Sequence, residues 1–381
     1  MPPVRAQSPA VHTARAAKPV AAAIGHLESV DAYRSFLAAM RGRDMGPLRS
    51  DVVEKLVRRL GPMPVCNLIA RSAMGDVITA AYVEVFLIPD AAWTVAEAAQ
   101  ALERVKVAYR TAAETGARVV ALGGFSSIVG ESARLNPADE YGIAFTTGNS
   151  LTAAVITEQV MRRVDGSRHA VVTVVGAPGD VGSGVCRALH ARGLRLLLVG
   201  RRPEPLQALA AELPGSAVRP WEEAAPESDI VVLVSSAHLA SVPLDRVPAR
   251  ALVVDAGHPA NASPPAGAGP AYARGGKVHL EHPLESDLPE FLEYYRPGEL
   301  HACLAEGMAL ALEKRWESFS SGRGGITPAR MAEILKIATR HGIHPAPLAV
   351  QASRSEPRPA TAPEVRMIPP QSLAETAPVA E

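Results

Sequence analysis

Residues 171–189, VVTVVGAPGDVGSGVCRAL, restrict the fold of this chain more than any other stretch. A β-branched apolar run (Val171, Val172, Val174, Val175) meets Gly176, and Gly179 and Gly182 then open a helical pattern. The expected local structure is a strand, a tight turn and a helix N-terminus. Gly176 permits the turn, Gly179 lets the backbone approach an anion, and Gly182 lets the helix pack closely on the strand. The unpaired amides of the first helical turn, at Asp180, Val181 and Gly182, and the positive end of the helix dipole then face a pyrophosphate. The spacing is G-x-x-G-x-x-G, a variant of the usual dinucleotide fingerprint, and the strand before and helix after give it weight. Ser235, just past a strand expected at 230–234, joins these residues as an expected cofactor contact.

The next strand, Arg195–Gly200, ends at Arg201 and Arg202. They stand about 20 residues past the glycines, where an NAD site carries an acid for the ribose hydroxyls. No carboxylate occurs before Glu204. Two guanidiniums offer bidentate partners to a 2′-phosphate, so the expected cofactor is NADPH.

Around this motif, apolar runs and helical patterns alternate at 170–175, 182–192, 195–200, 203–213, 230–234 and 251–255, which implies a doubly wound parallel sheet of Rossmann type. A Gly/Pro/Ala-rich loop (257–276) and a last strand at 277–280 follow. Upstream, the pattern reads as a second α/β unit. A short strand ends at Gly25-His26, amphipathic stretches lie at 30–40 and 51–60, and two strand-like runs (65–71 and 77–88) flank Met74-Gly75-Asp76. A long helix at 92–115 and a strand at 117–122 complete it, and a helix at 151–164 follows, capped by Asn149 or Ser150. Helices expected at about 299–319 and 328–341 fall outside the sheet alternation and should pack back near the first unit. The predicted organisation is a disordered extension (1–20), an N-terminal α/β substrate domain (21–150), the NADP-binding domain (151–296), helices completing the substrate domain (297–349) and a proline-rich disordered tail (350–381).

Composition narrows the function. The chain of 381 residues carries 39 basic and 39 acidic side chains, which argues against nucleic-acid binding through a strong overall basic field. Its three cysteines, Cys66, Cys186 and Cys303, are too scattered for a disulfide framework or metal cluster and fit a reducing cytoplasm. No apolar run approaches the ~20 residues that span a bilayer.

Cys303, in PGELHACLAEGM, is the candidate for chemistry. Pro297-Gly298 announces a helix start, which puts the thiol where a helix dipole favours thiolate. His301 and Glu306 are close in sequence, and Gly307 removes bulk one turn on. Cys186 reads as helix packing and Cys66 as strand packing. Gly123-Gly124-Phe125-Ser126-Ser127 could present amides to an anion or serve as a plain turn. The loop from Phe145 through Thr147 and Asn149 to Ser150 could contribute polar groups or simply cap a helix. His26, His258, His282 and His301 sit at segment ends.

Together these stretches resemble the cyanobacterial-type long-chain fatty acyl-[acyl-carrier-protein] reductases. The resemblance rests on IGHL (24–27), ALGGFSSIV (121–129), FTTGNS (145–150), VVGAPGDVGSGVCRAL (174–189), HACLAEGM (301–308) and RHGIHPAPLAV (340–350). It implies NADPH-dependent reduction of a fatty acyl thioester, carried by acyl carrier protein or CoA, to an aldehyde through an acyl-cysteine. The family's A-C-x-A-E cysteine maps onto Cys303, with His26, Ser126, Thr147, Asn149 and Glu306 as candidate helpers. It also implies a cytoplasmic enzyme, peripheral to a membrane at most, that hands its product to an aldehyde-consuming enzyme. The rival readings are a dehydrogenase of the shikimate or glutamyl-tRNA reductase type, whose cysteine Cys66-Asn67 faintly echoes, and a non-catalytic NADPH-binding partner protein.

Overall fold

The computed structural model describes residues 18–41, 48–88, 94–164, 169–235, 242–265, 267–292, 296–321 and 324–351. Most of the expected terminal extension and tail (1–17 and 352–381) lies outside the described residues.

The first sheet contains β1 (Ala21–Gly25), β2 (Met63–Arg71), β3 (Val77–Glu84), β4 (Val119–Leu122) and β5 (Ala144–Thr146). Strands β3, β1, β4 and β5 run parallel, and β2 closes the Gly75 turn as the antiparallel partner of β3. The turn uses the left-handed backbone that glycine tolerates, at φ 93°. The second sheet contains β6 (Val171–Val175), β7 (Arg195–Val199), β8 (Ala217–Val218), β9 (Ile230–Leu233), β10 (Leu252–Asp255) and β11 (Ala271–Arg274). Its parallel order is β8-β7-β6-β9-β10-β11. The strand order reverses beside β6, so the crevice outside the carboxyl ends of β6 and β9 is where such a sheet binds ligands. Unbroken aliphatic runs such as IVVL in β9 suit strands buried on both faces.

A third, small antiparallel sheet joins β12 (Lys277–Leu280) to β14 (Glu299–His301) and β15 (Ile343–Pro345). Strand β13 (Glu285–Ser286) returns to the first sheet beside β2, and β16 (Val350–Gln351) joins the second beside β11. Three expectations are corrected here. The loop expected at 257–276 contains β11, a four-residue strand. The helix expected from Glu299 begins at Ala302, because Glu299–His301 pairs with β12. Val350–Gln351 is an edge strand where the tail was expected to begin.

The helix Ala302–Leu312, ACLAEGMALAL, is buried along its whole length except where Cys303 meets the cavity. Apart from Glu306 it is apolar on every face, as suits a helix covered along nearly its whole length. It lies on β4 at close range, since a Cβ at Gly307 would meet the Ala121 Cβ at 2.8 Å. Gly307 therefore serves helix-on-sheet packing and not, as its position in sequence suggested, an opening beside the sulfur. On its other flank the same helix packs against Asn149–Val164 and Pro328–Arg340. Among the described residues no helix is long and apolar enough to cross a membrane.

Candidate active site

Between the two sheets lies a cavity of about 780 Å³ whose wall includes the glycine turn after β6, the ends of β7 and β9, and Cys303. At the cofactor end the turn is built as its glycines require. Gly176 takes φ 89°, and a Cβ there would come within 2.8 Å of the Ser235 backbone. A Cβ on Gly182 would be driven into the Gly176 carbonyl. The Gly176 and Ala177 amides donate to the Val199 carbonyl at 2.9 and 3.2 Å, which holds the turn against the end of β7. Helix Asp180–His190 starts behind Gly179 with its first amides toward the cavity end of the sheet. Gly179, Asp180 and Val181 line the cavity; Gly182 lies behind them in the helix packing. Ser235 is fixed by Asn261, whose Oδ1 accepts from the Ser235 amide at 2.9 Å and whose Nδ2 donates to its carbonyl at 3.0 Å.

Arg201 and Arg202 line the cavity just past β7, joined by Arg219 and Trp221, which sequence reasoning missed. Burial and the charge of Arg202 lower the Arg201 guanidinium from its ordinary value. Three guanidiniums beside a glycine turn with positive φ fit a phosphorylated dinucleotide.

At the opposite end, Cys303 is the second residue of its helix and remains partly exposed. Burial pushes the thiol up to about 11, outweighing the nearby Gly124 and Leu304 backbone, which favours the thiolate. The dipole-favoured thiolate expected from sequence is thus overridden by desolvation. Cys66 and Cys186 are buried, and burial pushes both thiols up to about 12.

Two glycines let the backbone crowd this thiol. Gly148, at φ 71°, leaves no room for a Cβ against the Cys303 backbone. Gly124, at φ 56°, would put one 2.6 Å from His26 Nε2 and 2.7 Å from His258 Cδ2. His26 accepts from the Phe125 amide through Nε2 at 2.8 Å, and its Nδ1 faces the Leu27 carbonyl at 3.1 Å. Both ring nitrogens serve the backbone, so His26 anchors the helix Phe125–Ser132.

Of the other candidate helpers, Thr147 and Asn149 line the cavity. Ser126 is buried, its hydroxyl donating to the Gly123 carbonyl at 2.6 Å. Glu306 is fully buried one turn beyond Cys303. It accepts from the Thr146 hydroxyl and, at 2.9 Å, from the Leu151 amide. Ser320 completes the joint, accepting from the Ser150 amide at 3.0 Å and donating its own amide to Thr146 Oγ1 at 2.8 Å. The helix expected to be capped by Asn149 or Ser150 begins at Asn149, and the distant Glu306 and Ser320 satisfy its first-turn amides. Burial raises the Glu306 carboxyl above its usual range despite these bonds.

A cluster that sequence reasoning left unassembled closes the wall between the two ends. Glu28 Oε1 lies 2.8 Å from His258 Nδ1 and 3.0 Å from an Arg274 guanidinium nitrogen. Burial would raise Glu28, but His258 and Arg274 outweigh it and hold the carboxyl well below the usual range. Arg274 also donates to the Gly257 carbonyl at 2.6 Å and approaches Asp255 at 3.4 Å. Asp255 organises the loop around His258, accepting from the Gly257, Asn261 and Ala262 amides and the Tyr272 hydroxyl. The His258 ring stands 5.0 Å from those of both His26 and His301. Burial, then His258 and Lys277, lower the His301 imidazole well below its ordinary value.

A doubly wound sheet with a glycine phosphate turn, facing a cysteine across a shared cavity, defines a dinucleotide-dependent oxidoreductase. Over 343 residues the chain is 34% identical to the long-chain acyl-[acyl-carrier-protein] reductase of Synechococcus elongatus, covering 86% of this chain and 99% of the relative. The chain belongs to the long-chain acyl-[acyl-carrier-protein] reductase family. It is also 29% identical over 256 residues to the aminotransferase PigE of a Serratia species, covering 63% of this chain and 29% of that longer protein. No protein-family model matches the chain. Similar solved structures include the L-tryptophan dehydrogenase of Nostoc punctiforme (13% identity, 85% of this chain and 80% of that one, TM-score 0.37). The shikimate dehydrogenase of Aquifex aeolicus is another (13% identity, 62% and 79%, TM-score 0.33).

Proposed function

We propose that the protein reduces a long-chain fatty acyl thioester, delivered by acyl carrier protein, to a fatty aldehyde with NADPH, through an acyl group held on Cys303. The observation that carries this reading is the opening of the Cys303 thiol on the cavity that also contains the glycine turn and the arginines of the cofactor end. When bound, NADPH supplies the hydride. Gly176, Gly179 and the helix start at Asp180 would hold its pyrophosphate, and Arg201, Arg202 and Arg219 its 2′-phosphate.

Cys303 accepts the acyl group from the carrier thiol. Exchange of one thioester for another is nearly balanced, so the protein's task is to activate and orient the sulfur. The Gly124 and Leu304 backbone, which favours a thiolate at Cys303, would also favour charge developing beside it in each tetrahedral stage. Glu306 holds the nucleophile helix to the start of helix Asn149–Val164 and is a positioning residue. His26 fixes the Gly124 amide through the Phe125 helix in the same way. We assign substrate binding to the first sheet and cofactor binding to the second. The free cysteines suit the reducing cytoplasm, and an aldehyde product calls for a consuming enzyme downstream.

The test supplies purified protein with NADPH and matched carrier-bound or CoA-bound long-chain thioesters, following absorbance and aldehyde together. Aldehyde equimolar with consumed NADPH, formed faster from the carrier-bound donor and more weakly as salt rises, supports the reading. Equal rates from both donors at all ionic strengths would remove carrier recognition from it.

A further inference from the structure

We infer that Glu28, His258 and His301 form a binding site for a divalent transition-metal ion of the zinc class, set in the wall of the cavity. The inference goes beyond the reductase reading and does not depend on it.

The three side chains come from separate segments: Glu28 from the loop after β1, His258 from the loop after β10 and His301 from the end of β14. One ligand atom from each, a carboxylate oxygen and two imidazole nitrogens, lie within 4.8 Å of one another. Two ligands of a tetrahedral zinc ion, each about 2.1 Å from it, stand about 3.4 Å apart. The 2.8 Å between Glu28 Oε1 and His258 Nδ1 and the 4.8 Å outer limit bracket that separation, so small side-chain shifts would seat the ion. Two imidazoles and a carboxylate are a donor set that zinc takes in three-ligand sites, with a fourth position left open.

The His258 ring is arranged as a metal ligand. Its Nε2 stands 3.4 Å from the His26 carbonyl, which can only accept, so the ring hydrogen belongs on Nε2 and Nδ1 carries a lone pair. Nδ1 is buried and has no hydrogen-bond partner, although Glu28 Oε1 is only 2.8 Å away. Two acceptors this close, with no hydrogen between them, repel one another unless a cation is shared. A metal-bound imidazole characteristically donates its other ring hydrogen to a carbonyl or carboxylate, as Nε2 does here.

The Arg274 guanidinium, 3.0 Å from the same Glu28 oxygen, does not close the site to a cation. It also lies 3.4 Å from Asp255, so two carboxylates face one guanidinium, and its hydrogen bond orients Glu28 as outer groups orient metal ligands. Lys277, the other cation near His301, is paired with Glu299 at 3.5 Å. Burial, His258 and Lys277 lower the His301 imidazole, which favours the neutral form that binds metal. His258 and His301 line the cavity, so the fourth position is filled from there, by water or by an oxygen of a bound molecule. An ion held by these residues would clasp the β1 loop of the first sheet to the β10 loop of the second.

The experiment is calorimetric titration of the full-length protein, stripped with chelator and kept reduced, with zinc chloride. It needs neither cofactor nor acyl donor, so its failure and that of the reductase reading are distinguishable. One equivalent of zinc should bind with a low-micromolar dissociation constant or tighter, and the melting temperature should rise with bound zinc. His258→Gln and His301→Gln should each weaken binding at least ~10-fold, while Cys303→Ser should bind as the parent does. Thermal melts identify variants that fail to fold, and Glu28→Gln then replaces them. Cobalt added to the parent gives a second readout: weak visible bands of a nitrogen–oxygen site, without the strong near-ultraviolet band of a cobalt thiolate. Magnesium in large excess should leave the zinc isotherm unchanged, because imidazole nitrogen suits zinc and magnesium prefers oxygen. Absence of stoichiometric zinc binding would overturn the site, as would binding that survives both histidine substitutions. Binding lost in Cys303→Ser, with a thiolate band for cobalt, would also overturn it, and so would displacement of zinc by magnesium.

Discussion

The two ends of the cavity are built by different means. At the cofactor end, Gly176, Gly179, Gly182 and the helix they open come from one stretch of 19 residues, Val171–Leu189. At the thiol end, Cys303 depends on Gly124, Gly148, Glu306 and Ser320, with Glu28 and His258 alongside, drawn from six separate stretches of chain. The first end is a local motif that carries its geometry wherever it folds. The second exists only once the two sheets and the helix Ala302–Leu312 have come together, and it concentrates buried ionisable groups that the first lacks. Substitutions at the thiol end should therefore propagate, and those at the cofactor end should stay local.

The largest expected effect is at Gly148. Gly148→Ala puts a Cβ into the Cys303 backbone at φ 71°, a combination of clash and strained backbone that costs on the order of 2–4 kcal/mol. Turnover should fall at least ~100-fold, because the Cβ displaces the backbone that positions the Cys303 sulfur, and the melting temperature should fall with the folding cost. NADPH affinity, measured by fluorescence titration in protein that remains folded, should change little. Loss of cofactor binding in step with turnover would erase the contrast between the ends.

The next effect is in pH dependence. Glu84 lies under the thiol end, buried and bonded to the Tyr33 hydroxyl at 2.6 Å and the cavity-lining Tyr82 at 3.2 Å. Burial raises its carboxyl to about 7. The folded state then holds the proton more tightly than the unfolded chain, so this contribution is complete below the ordinary value of 4.5 and is lost as pH rises through about 7. The change is at most about 3 kcal/mol, because each tenfold difference in proton affinity between the two states is worth about 1.4 kcal/mol. Chemical denaturation of the parent and Glu84→Gln at several pH values should show the parent gaining relative to the variant as pH falls through that window. A difference independent of pH would show that Glu84 is not a titrating group of the fold.

The smallest effect belongs to the cofactor end. Arg201→Asp with Arg202→Ala should raise the NADPH KM by roughly tenfold, about 1.4 kcal/mol, and leave the NADH KM and the melting temperature nearly unchanged. Arg219→Ala should add to it. Equal use of NADH and NADPH by the parent would contradict the assignment of these guanidiniums to a 2′-phosphate.

The same contrast explains what the sequence made legible. The turn at Gly176 and the arginines after β7 are contiguous and could be read directly. Strand β11 was hidden because Ala-Tyr-Ala-Arg is short and sits among prolines and glycines, and only its register against β10 makes it a strand. Glu299–His301 carries no strand propensity of its own and pairs because β12 is there. Cys303 and Glu306 stood out in the sequence, but their one-turn spacing suggested a shared role. In the fold they face different neighbours: the sulfur opens on the cavity, and the carboxylate ties three segments behind it. The Glu28–His258 pair, 230 positions apart, has no local signature, and only the histidine's place after β10 hinted at it.

The most direct test of the account is the mass of the Cys303 peptide after incubation with a long-chain acyl thioester in the absence of NADPH. The account predicts one acyl mass on that peptide, none on the buried Cys66 and Cys186 peptides, and its discharge as aldehyde when NADPH is added. Cys303→Ser should show no adduct and no aldehyde. Aldehyde production at the parental rate by Cys303→Ala would mean that the donor thioester is reduced directly, and the covalent account would be wrong.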